Sequence, residues 1–169
     1  MSVIGRNGKK ATPPCPCGYL GHWSGRCACS PDRIAGYRRR ISGPLLDRID
    51  LHVEVPALRA SDLAHTPPGE DSAAVRARVE AARVRQLERQ GRPNAFVAAG
   101  EVERCCAPDA AAQKLLRDAI SRLSLSARSF HRVLRVARTI ADLACRPGVG
   151  AGDVAETLAY RSPDRGASR

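Results

Sequence analysis

The sequence predicts a mainly α-helical protein, and three observations support this fold class. Beyond residue 70, apolar residues recur at helical spacing between Gly and Pro residues that end each segment. Only one stretch, Leu51–Val55, alternates apolar and polar residues as a short strand does. Hydrophobic residues make up 43% of the 169-residue chain but aromatic residues only 4%, so aliphatic side chains must fill the core.

The N-terminal part is expected to contain little regular structure. Residues 1–14 are polar and include Gly and Pro, which favours an irregular segment. A short helix is predicted from Pro31, because Ser30 is a favourable N-cap and proline suits the first helical position. Gly43 and Pro44 end this helix.

A linker is predicted between the N-terminal part and the helical part. The strand Leu51–Val55 would lack a partner in this chain, which leaves its backbone groups unpaired. The Pro67-Pro68-Gly69 run excludes regular structure just before the first long helix. The expected organisation is an irregular segment 1–14, a first region 15–56, a linker 57–69, a helical domain 70–162 and a disordered tail 163–169.

Five helices are predicted in the helical domain. Gly91 and Pro93 end the first, Pro108 opens the third and Ser126 caps the fourth. The expected bounds are Glu70–Gln90, Ala98–Cys106, Asp109–Leu123, Ser126–Cys145 and Asp153–Tyr160.

The fourth predicted helix has the clearest amphipathic pattern. One apolar stripe contains Phe130, Val133, Leu134, Ala137, Ile140, Ala141 and Ala144. At about 100° per residue, the opposite and exposed face carries Arg128, Arg132 and Arg135. These arginines form either the solvated face of a core helix or a row presented to a phosphate. Arg138 is expected to pair with Asp142, one turn further on.

The charge of the chain restricts its partners without identifying them. A net charge of +11 and an isoelectric point near 10.1 favour polyanions such as nucleic acid, although a solvated basic surface explains the same numbers. The sequence contains neither a long apolar segment nor a secretory signal, so we expect a cytoplasmic protein without a membrane partner.

Seven cysteines are expected to be thiols or metal ligands rather than disulfides. Four of them form the pattern C-x-C-x9-C-x-C, namely Cys15, Cys17, Cys27 and Cys29. Four thiolates are the ligand set of structural zinc, although the usual pair is C-x2-C. Reduced thiols and a redox pair are alternatives, and His22 is a spare ligand. Three further residues are expected to be small core residues: Cys105, Cys106 and Cys145.

Motifs of a self-contained active site are absent from the sequence. The segment around Gly8-Lys9-Lys10 fails as a P-loop, because Val3 replaces the first glycine and Lys10 replaces the hydroxyl residue. No H-E-x-x-H, G-x-S-x-G or G-x-G-x-x-G motif occurs. We therefore expect the isolated chain not to hydrolyse ATP.

Three stretches resemble the C-terminal part of the magnesium-chelatase-like AAA+ ATPases of the YifB/ComM type. The first, residues 15–56, contains ISGPLLDRIDLHVEVP; the others are residues 71–95 and residues 123–144, which contain RVLRVARTIADLA. The resemblance extends over about residues 11–163. It implies the end of an AAA+ core followed by a helical lid bundle, in a family whose Walker motifs lie upstream of the matched part.

The resemblance also implies roles for particular residues. The motif Ser42–Leu51 carries the arginine finger in this superfamily, so Arg48 is the candidate that reaches the γ-phosphate of the ATP that a neighbouring subunit binds with Mg2+. Pairing with Asp47 or Asp50 is the structural alternative. The lid arginine that touches nucleotide in cis is matched best by Arg135 and next by Arg132.

One departure from the family pattern concerns the sensor asparagine that orients the attacking water. Family members carry Asn-Pro before the first cysteine pair, whereas Pro13 stands at the asparagine position here. Proline has no side-chain amide and does not perform that task. This substitution weakens the expectation of hydrolysis.

The sequence is thus interpreted as the C-terminal portion of such an ATPase. It would contribute a finger and a lid sensor to a hexameric ring of AAA+ subunits that acts on DNA in branch migration. One alternative is a basic DNA-binding module, in which residues 109–123 and 126–145 form a helix-turn-helix. The other alternative is a non-functional gene remnant.

Overall fold

The computed structural model describes residues 3–4, 10–11, 13–40, 49–53, 55, 57–59, 61, 67–123 and 125–161. These residues are mainly helical, as predicted. The chain divides into two compact units. The first comprises Met1–Arg48 and Glu54–Pro67, and the second comprises Ile49–Val53 and Pro68–Arg169.

The described residues of the first unit include a minimal hairpin, a cysteine-rich loop and a helix that follows the loop. Strands β1 (Val3–Ile4) and β2 (Lys10–Ala11) pair antiparallel, so the expected irregular segment contains two short strands. Helix α1 (Pro31–Arg38) begins where the sequence predicts. The Ser30 side chain accepts a hydrogen bond from the Arg33 amide, which confirms the predicted cap.

The second unit is a bundle of helices close to the predicted bounds. Gly91 ends the first of them in the left-handed conformation, at φ 70°. Ser126 caps the fourth and accepts from the Ser129 amide at 3.2 Å. The elements are α2 (Ser72–Gln90), a 3-10 turn (Asn94–Phe96), α3 (Ala99–Cys105), α4 (Ala110–Leu123), α5 (Ala127–Leu143) and α6 (Ala151–Ala159).

Helix α5 occupies the centre of the second unit. It contacts α2, the 3-10 turn, α3 and α6, while α4 packs against α6. The apolar stripe of α5 supplies much of the core, although Ala144 is exposed rather than buried. The largest buried apolar side chains of this core are Val97, Val102, Leu116, Val133, Leu134, Val149 and Val154.

The strand predicted at Leu51–Val55 is not formed in its described residues, 51–53 and 55. A strand needs a neighbour that completes its hydrogen bonds, and none lies beside this segment in the described part of the chain. The backbone amide of His52 instead donates to the carbonyl of Tyr160 at 2.8 Å. Val53 and Val55 are 68% and 83% exposed.

A buried polar network joins α2, the 3-10 turn and α5. The carboxylate of Asp142 accepts from Arg89 at 2.8 and 3.0 Å and from Asn94 at 2.8 Å. Arg138 lies 2.8 Å from the same carboxylate, as predicted. Since Asp142 and Arg138 are both buried, each charge depends on the other for compensation.

The network lowers the pKa of Asp142. Burial raises the pKa of this carboxyl, but hydrogen bonds from Arg89 and Asn94 and the charge of Arg138 outweigh burial. The result is a pKa below the usual value near 3.8. Its stabilising contribution is therefore fully present above the unfolded-state pKa and is lost as the pH falls through the lower folded-state pKa.

We expect the wild-type chain to lose stability below about pH 4, more steeply than the variant Asp142→Asn. Asparagine cannot be protonated in this range, so the variant lacks this pH dependence. The measurement is the midpoint of urea unfolding of both proteins between about pH 7 and pH 3. Parallel curves for the two proteins would contradict the assignment of a lowered pKa to Asp142.

Candidate functional sites: a four-cysteine cluster and the arginines of α5

The sulfur atoms of Cys15, Cys17, Cys27 and Cys29 converge in the first unit, and we call this group the four-cysteine cluster. All four sulfurs lie within 4.8 Å of one another. The sulfur of Cys15 is 3.3 Å from that of Cys17 and 3.8 Å from that of Cys27. All four cysteines are free thiols rather than disulfides.

Tight turns between the two pairs bring the cluster together. The loop contains three glycines with positive φ, a conformation that costs glycine little: Gly18, Gly21 and Gly25. The amide of Gly18 donates to the carbonyl of Cys15 at 3.0 Å, which closes the first turn directly behind the first pair. These turns let the loop fold back, so that the second cysteine pair returns to the first.

The thiols of the cluster influence one another's ionisation. Burial raises the pKa of Cys15, but hydrogen bonds with Cys17 and from the Leu20 backbone outweigh it and lower the pKa to about 6. A backbone hydrogen bond from Cys29 lowers the pKa of Cys27, but burial and the neighbouring sulfurs raise it to about 11. The pKa is thus lowered at Cys15 and raised at Cys27 and Cys29, so Cys15 loses its proton more easily than these two.

The structure confirms some of the predictions for the other three cysteines and for His22 and contradicts others. Cys105 and Cys106 are buried in the core, as predicted. Cys145 is exposed, contrary to prediction, because the chain turns there at φ 58° after α5 has ended. His22 is not among the ligand atoms that converge in the described cluster, and its Nδ1 lies 2.6 Å from the hydroxyl of Ser24.

The arginines of α5 are less exposed than the periodicity predicts. Arg128 is exposed, but Arg132 and Arg135 are half-buried. The prediction of an exposed face is wrong for these two because α5 is surrounded by several elements, whereas the periodicity argument allows for one packed face.

Each half-buried arginine has a defined contact within the second unit. Nη2 of Arg135 donates to the carbonyl of Val97 at 2.7 Å. Its Nε is buried and has no hydrogen-bond partner among the residues that the structure describes. Nη1 of Arg132 lies 2.9 Å from the carboxylate of Asp50. Nη1 of Arg132 is also buried and makes no hydrogen bond to a described residue, so the two arginines differ in that only Arg132 lies beside a carboxylate.

The candidate finger Arg48 lies outside the described residues, as do residues 42–47 of its motif. The end of the motif is described: Ile49, Asp50 and Leu51 belong to the second unit. Asp50 follows Arg48 by two positions in the sequence. Its ion pair with Arg132 joins it to α5, the central helix.

Comparison with known proteins identifies the family. The family profile "Magnesium chelatase, subunit ChlI C-terminal" matches residues 69–161, and "Magnesium chelatase, subunit ChlI" matches residues 9–63. The chain belongs to the magnesium chelatase-like family. The four-cysteine cluster lies within the matched residues 9–63, and Arg132 and Arg135 lie within the matched residues 69–161.

Relatives of the YifB/ComM type are similar over most of the chain. Competence protein ComM of Haemophilus influenzae is 42% identical over 144 residues, which are 84% of this chain and 28% of that protein. The uncharacterized protein YifB of Escherichia coli is 39% identical over 147 residues, 86% of this chain and 29% of that protein. The chain therefore spans less than a third of these relatives and matches their C-terminal part.

Sequence reasoning missed two features around these sites. The first is the set of α2 and turn residues that hold Asp142, because Arg89 and Asn94 come from segments distant in sequence. The second is the contact between Arg132 and Asp50. The charges of Asp50 and Arg132 are visible in the sequence, but only the fold brings them together.

No described helix is both long and apolar enough to cross a lipid bilayer.

Proposed function

We propose that the chain is the lid-bearing portion of a cytoplasmic, ring-forming ATPase that acts on DNA. Membership of the magnesium chelatase-like family carries this proposal. The chain supplies the finger Arg48 to the γ-phosphate of the ATP that a neighbouring subunit binds with Mg2+, and Arg135 to the nucleotide of its own subunit. The P-loop comes from a region that this sequence does not contain. The linker 57–69 joins the two contributions.

The contacts of α5 support a division of roles between its arginines. Arg135 has a buried Nε without a partner in the described chain, and such a donor is costly unless something else accepts its hydrogen bond. A phosphate oxygen of a nucleotide bound to the AAA+ core is an acceptor of the right charge. Arg132 is bound to Asp50, so we assign it the positioning of the finger segment.

Positioning through Asp50 connects the lid to the finger. The carboxylate of Asp50 is 56% exposed and Arg132 is 22% exposed, so the ion pair is only partly screened by water. It fixes the end of the finger motif against the central helix of the bundle. Asp50 follows Arg48 by two positions in the sequence, and this proximity supports a positioning role for Arg132.

The helix-turn-helix alternative has less support. A recognition helix needs an exposed face that enters the major groove. Within the described residues of α5, only Ala127 and Arg128 are exposed, because four other elements cover the helix. We therefore favour DNA contact through the assembled ring, to which each copy of this chain contributes a net charge of +11 that suits phosphates.

The test uses a chimera in which residues 14–169 of this chain replace the matching C-terminal part of the H. influenzae ComM protein, so that Pro13 is left out and the position of the sensor asparagine is supplied by ComM. The chimera is expected to hydrolyse ATP with Mg2+, to respond to added DNA, and to form a ring. Arg135→Ala should raise the KM for ATP by about 10- to 100-fold, the effect of a lost charged hydrogen bond. Arg132→Ala and Asp50→Ala should share one phenotype, with reduced kcat and an unchanged KM.

The matched control is Arg128→Ala, an exposed arginine of the same helix, which should leave both constants unchanged. Equal effects of Arg128→Ala and Arg135→Ala would contradict the sensor role. A chimera that folds but neither binds nor hydrolyses ATP would contradict the proposed function as a whole. If Arg132→Ala alone raised the KM, the two roles would have to be exchanged.

A further inference from the structure

The side chains of the first unit that the structure describes form almost no hydrophobic core. Among residues 13–40, 55, 57–59, 61 and 67, Cys15 alone is buried, and the large side chains of Tyr19 and Trp23 are 39% and 55% exposed. The continuous stretch 13–40, which holds the four cysteines and α1, is shorter than the about 40 residues below which apolar packing alone rarely suffices and disulfides, metals or association are usually needed. The turns around the cysteines and helix α1 therefore require another source of stability.

We propose that the four-cysteine cluster binds one structural Zn2+ ion, which folds the first unit. With zinc–sulfur bonds of about 2.3 Å, a tetrahedral site places its sulfurs about 3.8 Å apart. Three sulfur pairs in the cluster are separated by 3.3, 3.7 and 3.8 Å. Shifts of a few tenths of an ångström thus convert these three distances into zinc coordination.

The donor set restricts the kind of metal and its role. Four soft thiolates in tetrahedral arrangement select zinc or iron–sulfur centres. A cluster with several irons and bridging sulfides holds its cysteines farther apart than a single ion does, and all four sulfurs here lie within 4.8 Å. Four protein ligands leave no position for water or substrate, so the zinc is structural rather than catalytic.

The zinc site would also support the start of α1. The last ligand, Cys29, directly precedes the N-cap Ser30, and the helix begins at Pro31. Ligation of Cys29 therefore fixes the position from which α1 starts. Loss of the metal should loosen the loop and α1 together, while the second unit keeps its own core.

The first experiment measures zinc and iron by elemental analysis of the chain purified from zinc-supplemented cells. We expect about one zinc per chain and no iron. Cys17→Ser and Cys29→Ser should each lower the zinc content well below the wild-type value after dialysis against a chelator, because each variant removes one of the four thiolate ligands. The matched control is Cys145→Ser, an exposed thiol outside the cluster, which should retain about one zinc.

The second experiment separates the two units by their spectroscopic signals. Trp23 is the chain's one tryptophan and lies between the two cysteine pairs, where its indole donates to the carbonyl of Leu58 at 3.3 Å. Zinc removal by a chelator should shift Trp23 emission to longer wavelength. Helical circular dichroism should change little, since most helical residues belong to the second unit. Added zinc should restore the emission.

Several outcomes would overturn the proposal. Zinc content below about 0.2 per wild-type chain would remove the site. A mass lower by two hydrogens per cysteine pair in the native protein would show disulfides instead. Zinc that is retained in both serine variants would show adventitious binding elsewhere, and Trp23 emission unchanged by zinc removal would show that the metal does not fold this unit. None of these readouts depends on nucleotide, so they stand apart from the ATPase proposal.

Discussion

Replacing Asp142 with alanine is expected to lower the free energy of unfolding by about 3–5 kcal/mol, the usual effect of breaking a buried ion pair. The carboxylate is buried and is bound by Arg89, Asn94 and Arg138. Alanine would leave Arg138, which is 2% exposed, without a negative partner. The measurement is urea unfolding of the second unit, followed by circular dichroism at neutral pH.

The milder variant Asp142→Asn keeps the shape of the side chain and loses only the charge, so it should destabilise less than alanine. The control is the ion pair between Glu70 and Arg78, which has a similar distance of 2.7 Å but is half-exposed. Glu70→Ala should leave the unfolding midpoint nearly unchanged, because water screens that pair. Equal effects of Asp142→Ala and Glu70→Ala would show that burial does not determine the importance of Asp142.

The helices could be predicted from the sequence because their signals are local. The caps at Ser30 and Ser126 and the stop at Gly91 each act within a few residues, and the structure places helix ends at these points. The strand predicted at Leu51–Val55 is wrong for its described residues, because its signal was not local in the same way. A strand depends on a partner, and the alternation of side chains does not show whether one is present.

The four-cysteine cluster and the arginines of α5 also differ in how local their sequence signals are. The four cysteines lie within 15 residues of chain, so their spacing and the intervening glycines were enough to predict that they converge. The surroundings of Arg132 and Arg135 depend on Asp50 and Val97, which are distant in sequence. Helical periodicity identified the core face of α5 but not the number of elements that cover its other faces.

The largest effect on activity is expected from Arg48→Ala in the ComM chimera. An arginine finger stabilises the charge that develops on the transferred phosphate, and its removal costs about 10^3- to 10^5-fold in kcat. The KM for ATP should change little, because the finger acts mainly in the transition state. Steady-state ATP hydrolysis with Mg2+ measures both constants. Arg128→Ala again serves as the control for the loss of one positive charge.

Subunit mixing tests whether Arg48 acts in a neighbouring subunit. One partner is the chimera with Arg48→Ala; the other keeps Arg48 but carries a substitution of the P-loop lysine in its ComM-derived part. Each ring alone should be inactive, while mixed rings contain interfaces that join an intact P-loop to an intact Arg48. Activity regained on mixing would require action in trans, because no single subunit then holds both groups. Mixed rings that assemble but stay inactive would assign Arg48 the structural role of pairing with Asp47 or Asp50.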